Sequence, residues 1–356
     1  DVDHAVREQL TCGISFSLAT ELEAELAEQI INIIPSAEMV RFGKNGTDAT
    51  SASIRLARAF TGRDKVIVCG YHGWQDWYIG STTRDKGVPP LYKKLTFSVP
   101  FNDLGAVRKL LREHSGEFAA MILEPMSSIE PVAEYLNELK ALLHKHGVLL
   151  IFDEVVTGFR YSLGGAQSLF GVTPDLSSFG KGLGNGMPIS AIVGRADIMK
   201  QMEEVFVSGT FGGESLSLAA AIAVIKKMHR EPVIETLWNT GDVLAVKVNK
   251  LITQYNLDQV ITLNGCSPWI ILNFAVYQNV ETSAVRTLFV AEMLKRGVLI
   301  LNSHNICYAH NSTDIEKVVS AYDGALRVIR EAFDSGSFKE WLNYPAIDPV
   351  FQVRKL

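Results

Sequence analysis

Lys181 sits in the stretch Gly180-Lys181-Gly182-Leu183-Gly184-Asn185-Gly186, and Asp153 closes the apolar run Val148-Leu149-Leu150-Ile151-Phe152. Glycines around a lysine remove side-chain bulk and let backbone and ligand approach closely. A short all-apolar run without polar alternation suits a strand buried on both faces of a parallel sheet. Ligands of such sheets bind outside the carboxyl ends of the strands, which is where Asp153 emerges. An amine open to attack and a carboxylate at a strand end together suggest the site of a covalently held cofactor.

Three further segments bring in compatible groups. Met39-Val40-Arg41-Phe42 reads as a short strand that leads through Gly43-Lys44-Asn45-Gly46-Thr47-Asp48 into an Ala-rich helical stretch, Ala49 to Phe60. A glycine-containing loop that opens a helix offers free N–H groups and the positive dipole end to an anion. The same pattern also serves an ordinary helix N-cap. Lys65–Cys69 reads as a buried strand ending in Gly70-Tyr71-His72-Gly73, and Ala119–Leu123 as another ending in Glu124-Pro125. Singly, Lys181 fits a surface lysine, Asp153 a cap or turn residue, and His72 a turn residue. In combination they are the parts a pyridoxal phosphate site requires. The lysine makes the covalent link, the carboxylate keeps the pyridine nitrogen protonated so that the ring acts as electron sink, and the aromatic stacks on the ring.

The elements that must position these groups alternate along the chain. Thr20-Glu21-Leu22-Glu23 reads as a capping box, followed by Leu22, Leu26, Ile30 and Ile33 at helical spacing up to Pro35. Leu136, Leu139 and Leu143 mark an amphipathic helix that Gly147 stops, with the Val148–Phe152 strand directly after it. Ile189–Gly194 reads as a further strand. Strand–helix–strand alternation at this spacing argues for an α/β fold with a mainly parallel sheet. Beyond Ser208-Gly209-Thr210-Phe211-Gly212-Gly213 the pattern predicts a long helical region from Leu216 to about Tyr255. A smaller unit follows, with strands at Trp269–Phe274 and Val298–Leu301 and helices at Thr282–Arg296 and about Thr313–Phe333. The domain boundary is placed near residue 230, giving residues 1–230 as a large cofactor-binding domain and 231–356 as a small one.

The totals narrow the classes. The 356 residues are 47% hydrophobic and 21% charged, enough for a sizeable core, and the net charge of −5 offers nothing to phosphate polymers. Nucleic acid and membrane are therefore not expected as partners. The longest apolar run, near Leu218–Ile225, is too short to span a bilayer. Cys12, Cys69, Cys266 and Cys307 are scattered without a CxxC pair, which favours reduced thiols in a cytoplasmic setting. His144, His146, His304 and His310 lack metal-ligand spacing, so no metal site is expected. The chain opens on Asp1 with no apolar signal region, which points to a start partway into a longer protein.

Across almost its whole length the sequence resembles class-III, fold-type-I pyridoxal-phosphate aminotransferases, in particular the branch with glutamate-1-semialdehyde aminomutase. Thr20–Glu23, the Phe42–Ala49 loop, Arg55-Leu56-Ala57-Arg58, Thr61–Lys65 and Tyr71-His72-Gly73 carry the resemblance. So do Leu123-Glu124-Pro125, Phe152–Val155 with Thr157-Gly158-Phe159-Arg160, Gly171–Asp175 and Gly180-Lys181. It implies a mainly parallel sheet of the seven-stranded type flanked by helices, a smaller α+β C-terminal domain, and pyridoxal 5′-phosphate as cofactor. Residue by residue, it implies Lys181 as the Schiff-base lysine and proton shuttle and Asp153 as partner of the ring nitrogen. Val155 and Tyr71 would pack on the two faces of the ring, and Asn45, Gly46 and Thr47 would hold the phosphate. Asn45 stands where the semialdehyde enzymes usually carry Ser. Thr210 matches a threonine that reaches the phosphate of a neighbouring subunit, which implies a homodimer with shared sites.

Departures from that pattern bear on the substrate. The loop Met126–Pro131 is shorter than in the semialdehyde enzymes and lacks the Asn that contacts the cofactor's 3′ oxygen. Gly80–Pro90, an irregular loop, is shorter than the aminomutase lid, and the N-terminal segment of the family is missing. Trp74-Gln75-Asp76-Trp77-Tyr78 suits either a face for a polar ring such as a sugar or buried packing. The expected activity is transfer of an amino group from a small-molecule donor, an amino acid, to an aldehyde or ketone acceptor. A glutamate-1-semialdehyde 2,1-aminomutase and a non-catalytic binding subunit are the alternatives.

Overall fold

Seven short segments form one sheet: β1 (Met39–Gly43), β2 (Lys65–Cys69), β3 (Thr96–Ser98), β4 (Phe118–Leu123), β5 (Leu149–Glu154), β6 (Leu176–Phe179) and β7 (Ser190–Gly194), in the order β1-β7-β6-β5-β4-β2-β3. From β3 to β6 the neighbours are parallel; β7 runs antiparallel between β6 and β1. The computed structural model describes residues 1–347.

Strand alternation sorts the core into two layers. Leu149 and Ile151 join Val66, Val68, Ala120 and Ile122 against Ile54, Leu56 and Ala57 of the helix Gly46–Thr61. Leu150 and Phe152 join Ile67, Met121 and Leu123 against Leu136, Leu139 and Leu143 of the helix Tyr135–Lys145. Every residue of β4 and β5 is buried, which accounts for their lack of polar alternation. Each fully buried leucine of that helix contributes about 1.5–3 kcal/mol relative to an exposed one. The parallel strands β2, β4 and β5 end on one edge of the sheet, and Tyr71, Glu124 and Asp153 therefore emerge together.

The chain divides into two compact units, one from Asp1 to Ile234 and one beginning at Glu235. The second contains the antiparallel strands β8 (Ile261–Cys266), β9 (Trp269–Phe274) and β10 (Ser303–Asn305) and the helices Thr282–Lys295 and Ser312–Asp334. Two expectations are corrected. The long helical region is two helices, Ser215–Arg230 and Val233–Gln254, because Pro232 has no N–H to donate and disfavours helical backbone in the residue before it. The third strand is Ser303–Asn305 rather than Val298–Leu301. Pairing with β9 decides it: Leu272 donates to the Asn302 carbonyl at 2.8 Å, and Ser303 faces Ile271 in the ladder. Among the described residues no helix is long and apolar enough to cross a membrane.

Candidate active site

Asp153 lies at the end of β5 and is only 5% exposed. Its Oδ1 accepts from the Val155 backbone N–H at 3.1 Å, and its Oδ2 lies 2.8 Å from His72 Nδ1. His72, 1% exposed, sits just beyond β2, and its Nε2 lies 3.2 Å from the Cys69 carbonyl oxygen. The neighbouring Tyr71 is half exposed, edge-on to Tyr78 with ring centroids 5.6 Å apart and planes at 88°. Tyr78 is in turn fixed by donating its hydroxyl to the Gly70 carbonyl at 2.8 Å.

The helix after β1 begins at Gly46, ahead of the expected Ala49, with Asn45 as its N-cap. Asn45 Oδ1 accepts from the Asp48 N–H at 3.3 Å, while the Asp48 carboxylate takes the N–H groups of Lys44 and Asn45 at 3.1 and 3.0 Å. Gly46 and Thr47 lie in the first turn, where backbone N–H groups have no partner within the helix. Thr47 is only 7% exposed, and its buried Oγ1 has no hydrogen-bond partner among the described residues. An orphaned hydroxyl and free N–H groups at a helix N-terminus form a site for an anion. Lys44 is engaged elsewhere, by Glu214 at 3.0 Å.

Close approaches tie these segments together. A Cβ on Gly46 would lie 2.8 Å from Val155 Cγ1, and one on Gly180 3.4 Å from the same atom. Gly73, at φ +100°, comes so near the helix that a Cβ would fall 2.3 Å from Thr47 Oγ1. Val155 thus meets both the anion cradle and the glycine before Lys181. Lys181 itself holds φ 40°, an uncommon value for a residue with a Cβ and the kind of strain that persists where surrounding structure imposes it. The surrounding protein desolvates its amine and lowers its pKa; Asp153 and then Glu124 oppose that shift, and Arg160 adds to it. The side chain nevertheless remains solvent-accessible, as a group at the mouth of a site should be.

Asn45, Gly46, Thr47, Tyr71, Asp153, Val155 and Lys181 are thereby brought to one edge of the sheet. Thr210 is exposed and lines a cavity of about 1130 Å³ with Phe42, Lys44 and Asp48. Within Trp74–Tyr78 the packing reading holds for two residues: Trp77 and Tyr78 are buried in the core, Trp77 donating to Ser51 Oγ at 2.9 Å. Trp74 is 66% exposed. Glu124 was not singled out by sequence reasoning, although it follows β4 as Asp153 closes β5. Burial first, then the Asp153 charge, push its pKa up to about 7, against the pull of His72, the Tyr71 N–H and Lys181.

The donor set fits pyridoxal phosphate: an amine, a buried carboxylate for the ring nitrogen, an aromatic and an aliphatic side chain, and a cradle for the phosphate. Comparison with known proteins agrees. The model of the family described as aminotransferase class-III matches residues 1–322. A glutamate-1-semialdehyde 2,1-aminomutase of Methanosarcina acetivorans is 36% identical over 346 residues, spanning 89% of this chain and 81% of that protein. A 3-aminobutyryl-CoA aminotransferase of Cloacimonas acidaminovorans is 32% identical over 344 residues, spanning 93% and 81%. Among solved structures, an omega-transaminase from Sphaerobacter thermophilus superposes with a TM-score of 0.84 at 26% identity, over 92% of this chain and 83% of that one. The FumI protein of Sphingopyxis sp. MTA144, solved in its PLP internal aldimine form, gives 0.86 at 26% identity, over 94% and 81%.

Proposed function

The chain belongs to the class-III aminotransferase family, fold-type-I enzymes that depend on pyridoxal phosphate, and on that premise we propose that it moves an amino group from an amino-acid donor to an aldehyde or ketone acceptor, with Lys181 and Asp153 as its catalytic residues. The observation that supports this most directly is the meeting of Val155, beside Asp153, with both the helix start at Gly46 and the glycine preceding Lys181. Bound there, pyridoxal phosphate would supply an electron sink that acidifies the donor's C–H bond.

Each residue has a task in this reading. Gly46 and Thr47 hold the phosphate through first-turn N–H groups and the orphaned hydroxyl, with Asn45 fixing the cap. Tyr71 and Val155 would hold the ring between them, and the Asp153 carboxylate would keep a proton on its nitrogen. Lys181 would hold the cofactor covalently through its Nζ and give it up to an incoming donor amine. Its freed Nζ would take a proton from the donor carbon and deliver it to the cofactor carbon that bears the nitrogen, a role that the lowered pKa serves by favouring the neutral amine. Thr210, exposed on a cavity that it shares with Lys44 and Asp48, is assigned to the phosphate site of a second copy, in a cytoplasmic homodimer with shared sites. The exposed Trp74 is the residue offered to the acceptor, a sugar being one candidate.

A second reading, an aminomutase that moves the amino group within glutamate-1-semialdehyde, is favoured by the 36% identity to such an enzyme. Loading the purified chain with pyridoxal phosphate tests the common ground: a yellow protein that bleaches in Lys181→Ala supports the reading, and a chain that takes up no cofactor refutes it. Single turnovers of the amine-loaded form then separate the two. Conversion of glutamate-1-semialdehyde to 5-aminolevulinate without an external donor identifies the aminomutase. Inertness to it, with turnover of glutamate and a keto-sugar, identifies the transaminase.

A further inference from the structure

Glu214 joins the segment that carries Thr210 to the one that carries Lys44. It is the N-cap of the helix Ser215–Arg230, where its carboxylate accepts from the Leu216 and Ser217 N–H groups at 2.7 and 3.3 Å and from the Ser217 hydroxyl at 2.6 Å. Its Oε2 also takes the Lys44 ammonium at 3.0 Å, the Lys44 and Glu214 side chains being only 20% and 11% exposed. Burial works against ionisation of Glu214, but hydrogen bonds from Ser217, Lys44 and Leu216 outweigh it and hold the pKa below its ordinary value.

Lys44 is fixed at its backbone as well. Its N–H donates to the Asp48 carboxylate at 3.1 Å, within the capping box of Asn45 and Asp48 that opens the helix of Gly46 and Thr47. From Glu214, turns lead back to Thr210: the Glu214 N–H donates to the Phe211 carbonyl at 3.1 Å and the Gly212 N–H to the Gly209 carbonyl at 3.0 Å. Further along, Arg55 and Arg41 donate to the Phe206 and Val207 carbonyls at 2.8 and 3.3 Å. A charge-assisted hydrogen bond between partly buried groups is strong and little screened by salt. The Lys44–Glu214 pair thus connects the anion cradle to the loop that bears Thr210.

We propose that Lys44 and Glu214 are positioning residues, an ionic strut that sets the Thr210 loop against the anion cradle of its own chain, so that the phosphate site a subunit keeps and the loop it lends are aligned together. This rests on the reading that Thr210 serves the phosphate of a second copy. A hydroxyl offered across subunits contributes fully only if its loop is already in place, because ordering the loop on binding costs affinity. The strut supplies that order before the cofactor arrives.

The test is the affinity of the cofactor-free full chain for pyridoxal phosphate, measured by titration. Thr210→Val should weaken it about 10-fold, the scale for losing one hydrogen bond to a charged group. Lys44→Met and Glu214→Gln should each weaken it by a similar factor, roughly 10-fold, as expected for side chains that act through one contact. Lys44→Arg, which keeps the charge, should recover most of the loss. In a Thr210→Val chain the same two substitutions should change affinity by less than about 2-fold, because the hydroxyl they position is gone. Thermal unfolding confirms that each variant folds, and either Lys44→Met or Glu214→Gln serves alone. An equal loss in both backgrounds, or an unchanged or tighter affinity in a folded Glu214→Gln, overturns the inference and leaves the functional reading intact. Wild-type affinity in Thr210→Val refutes the shared site and the inference with it, and a wild-type chain that binds no pyridoxal phosphate overturns the functional reading too.

Discussion

Asp153 and Glu154 are adjacent carboxylates at the end of the same strand, yet they lie on opposite faces of the sheet and lead different lives. Strand alternation puts Asp153 on the side of Ile151 and the helix Gly46–Thr61, and Glu154 on the side of Phe152. Glu154 is wholly enclosed and saturated by fixed donors: the Thr157 hydroxyl at 2.5 Å, the N–H groups of Ala166 and Gln167 at 2.8 and 2.9 Å, and Gln167 Nε2 at 3.3 Å. Burial raises its pKa, and those hydrogen bonds oppose the rise. Asp153 has one backbone donor and one titratable partner, and it faces an amine and an anion cradle. A carboxylate used up by static donors shapes a fold. One left with capacity, beside groups that exchange protons, is available for chemistry.

Substitutions can break or sharpen that contrast. The largest effect is expected at the amine the site face serves. Lys181→Ala should abolish cofactor-derived visible absorption and lower turnover by at least about 10²–10⁴-fold. As an accessible side chain it should leave unfolding free energy within about 0.5 kcal/mol. Next, Asp153→Asn should reduce kcat by about 10²–10³-fold, the scale for losing one preorganised electrostatic group, while thermal unfolding shows a folded protein.

Glu154→Gln should do the reverse. An amide cannot accept from all four donors, so denaturant unfolding should show a loss of about 2 kcal/mol with kcat hardly changed. A folded Glu154→Gln that has lost turnover would break the comparison.

The smallest effect concerns Glu124, the carboxylate between these extremes. Its folded pKa is raised to about 7. The folded state therefore binds its proton more tightly than the unfolded one, and the associated stability is full below about 4.5 and lost as pH rises through about 7. Glu124→Gln should flatten the stability–pH curve of the cofactor-free chain between those values, by about 1 kcal/mol after solvent screening. Urea unfolding at several pH values would measure it, and an unchanged slope would count against a buried, shifted acid there.

How much of this was visible beforehand depended on the range of the interaction. β2, β4, β5 and β9 follow apolar runs, and the strands and helices around the site begin and end close to their turn and cap residues, because these signals are local. Asp153 and Lys181 stood out for the same reason, each beside a run or glycine cluster of its own. Val298–Leu301 looked like a strand and is not one, since a ladder needs a partner backbone that the local sequence does not contain. Trp77 and Tyr78 suit a core better than a surface by residue type, and their neighbours place them in the core. Glu124 and His72 were overlooked or left open because their meaning lies in what they face.

By itself, then, the sequence determined the alternation of strands and helices, the apolar faces of the central layer, and the chemical types of amine, acid, aromatic and anion cradle. Those follow from side-chain periodicity, backbone propensity and glycine content within a few residues. Tertiary structure alone decided that the ends of β2, β4 and β5 share one edge, and that His72 closes on Asp153 across 81 positions of chain. It also decided that one of two adjacent carboxylates is left with capacity while the other is saturated. Electrostatic pairing and desolvation depend on distances through space, and no reading of order along the chain contains those distances.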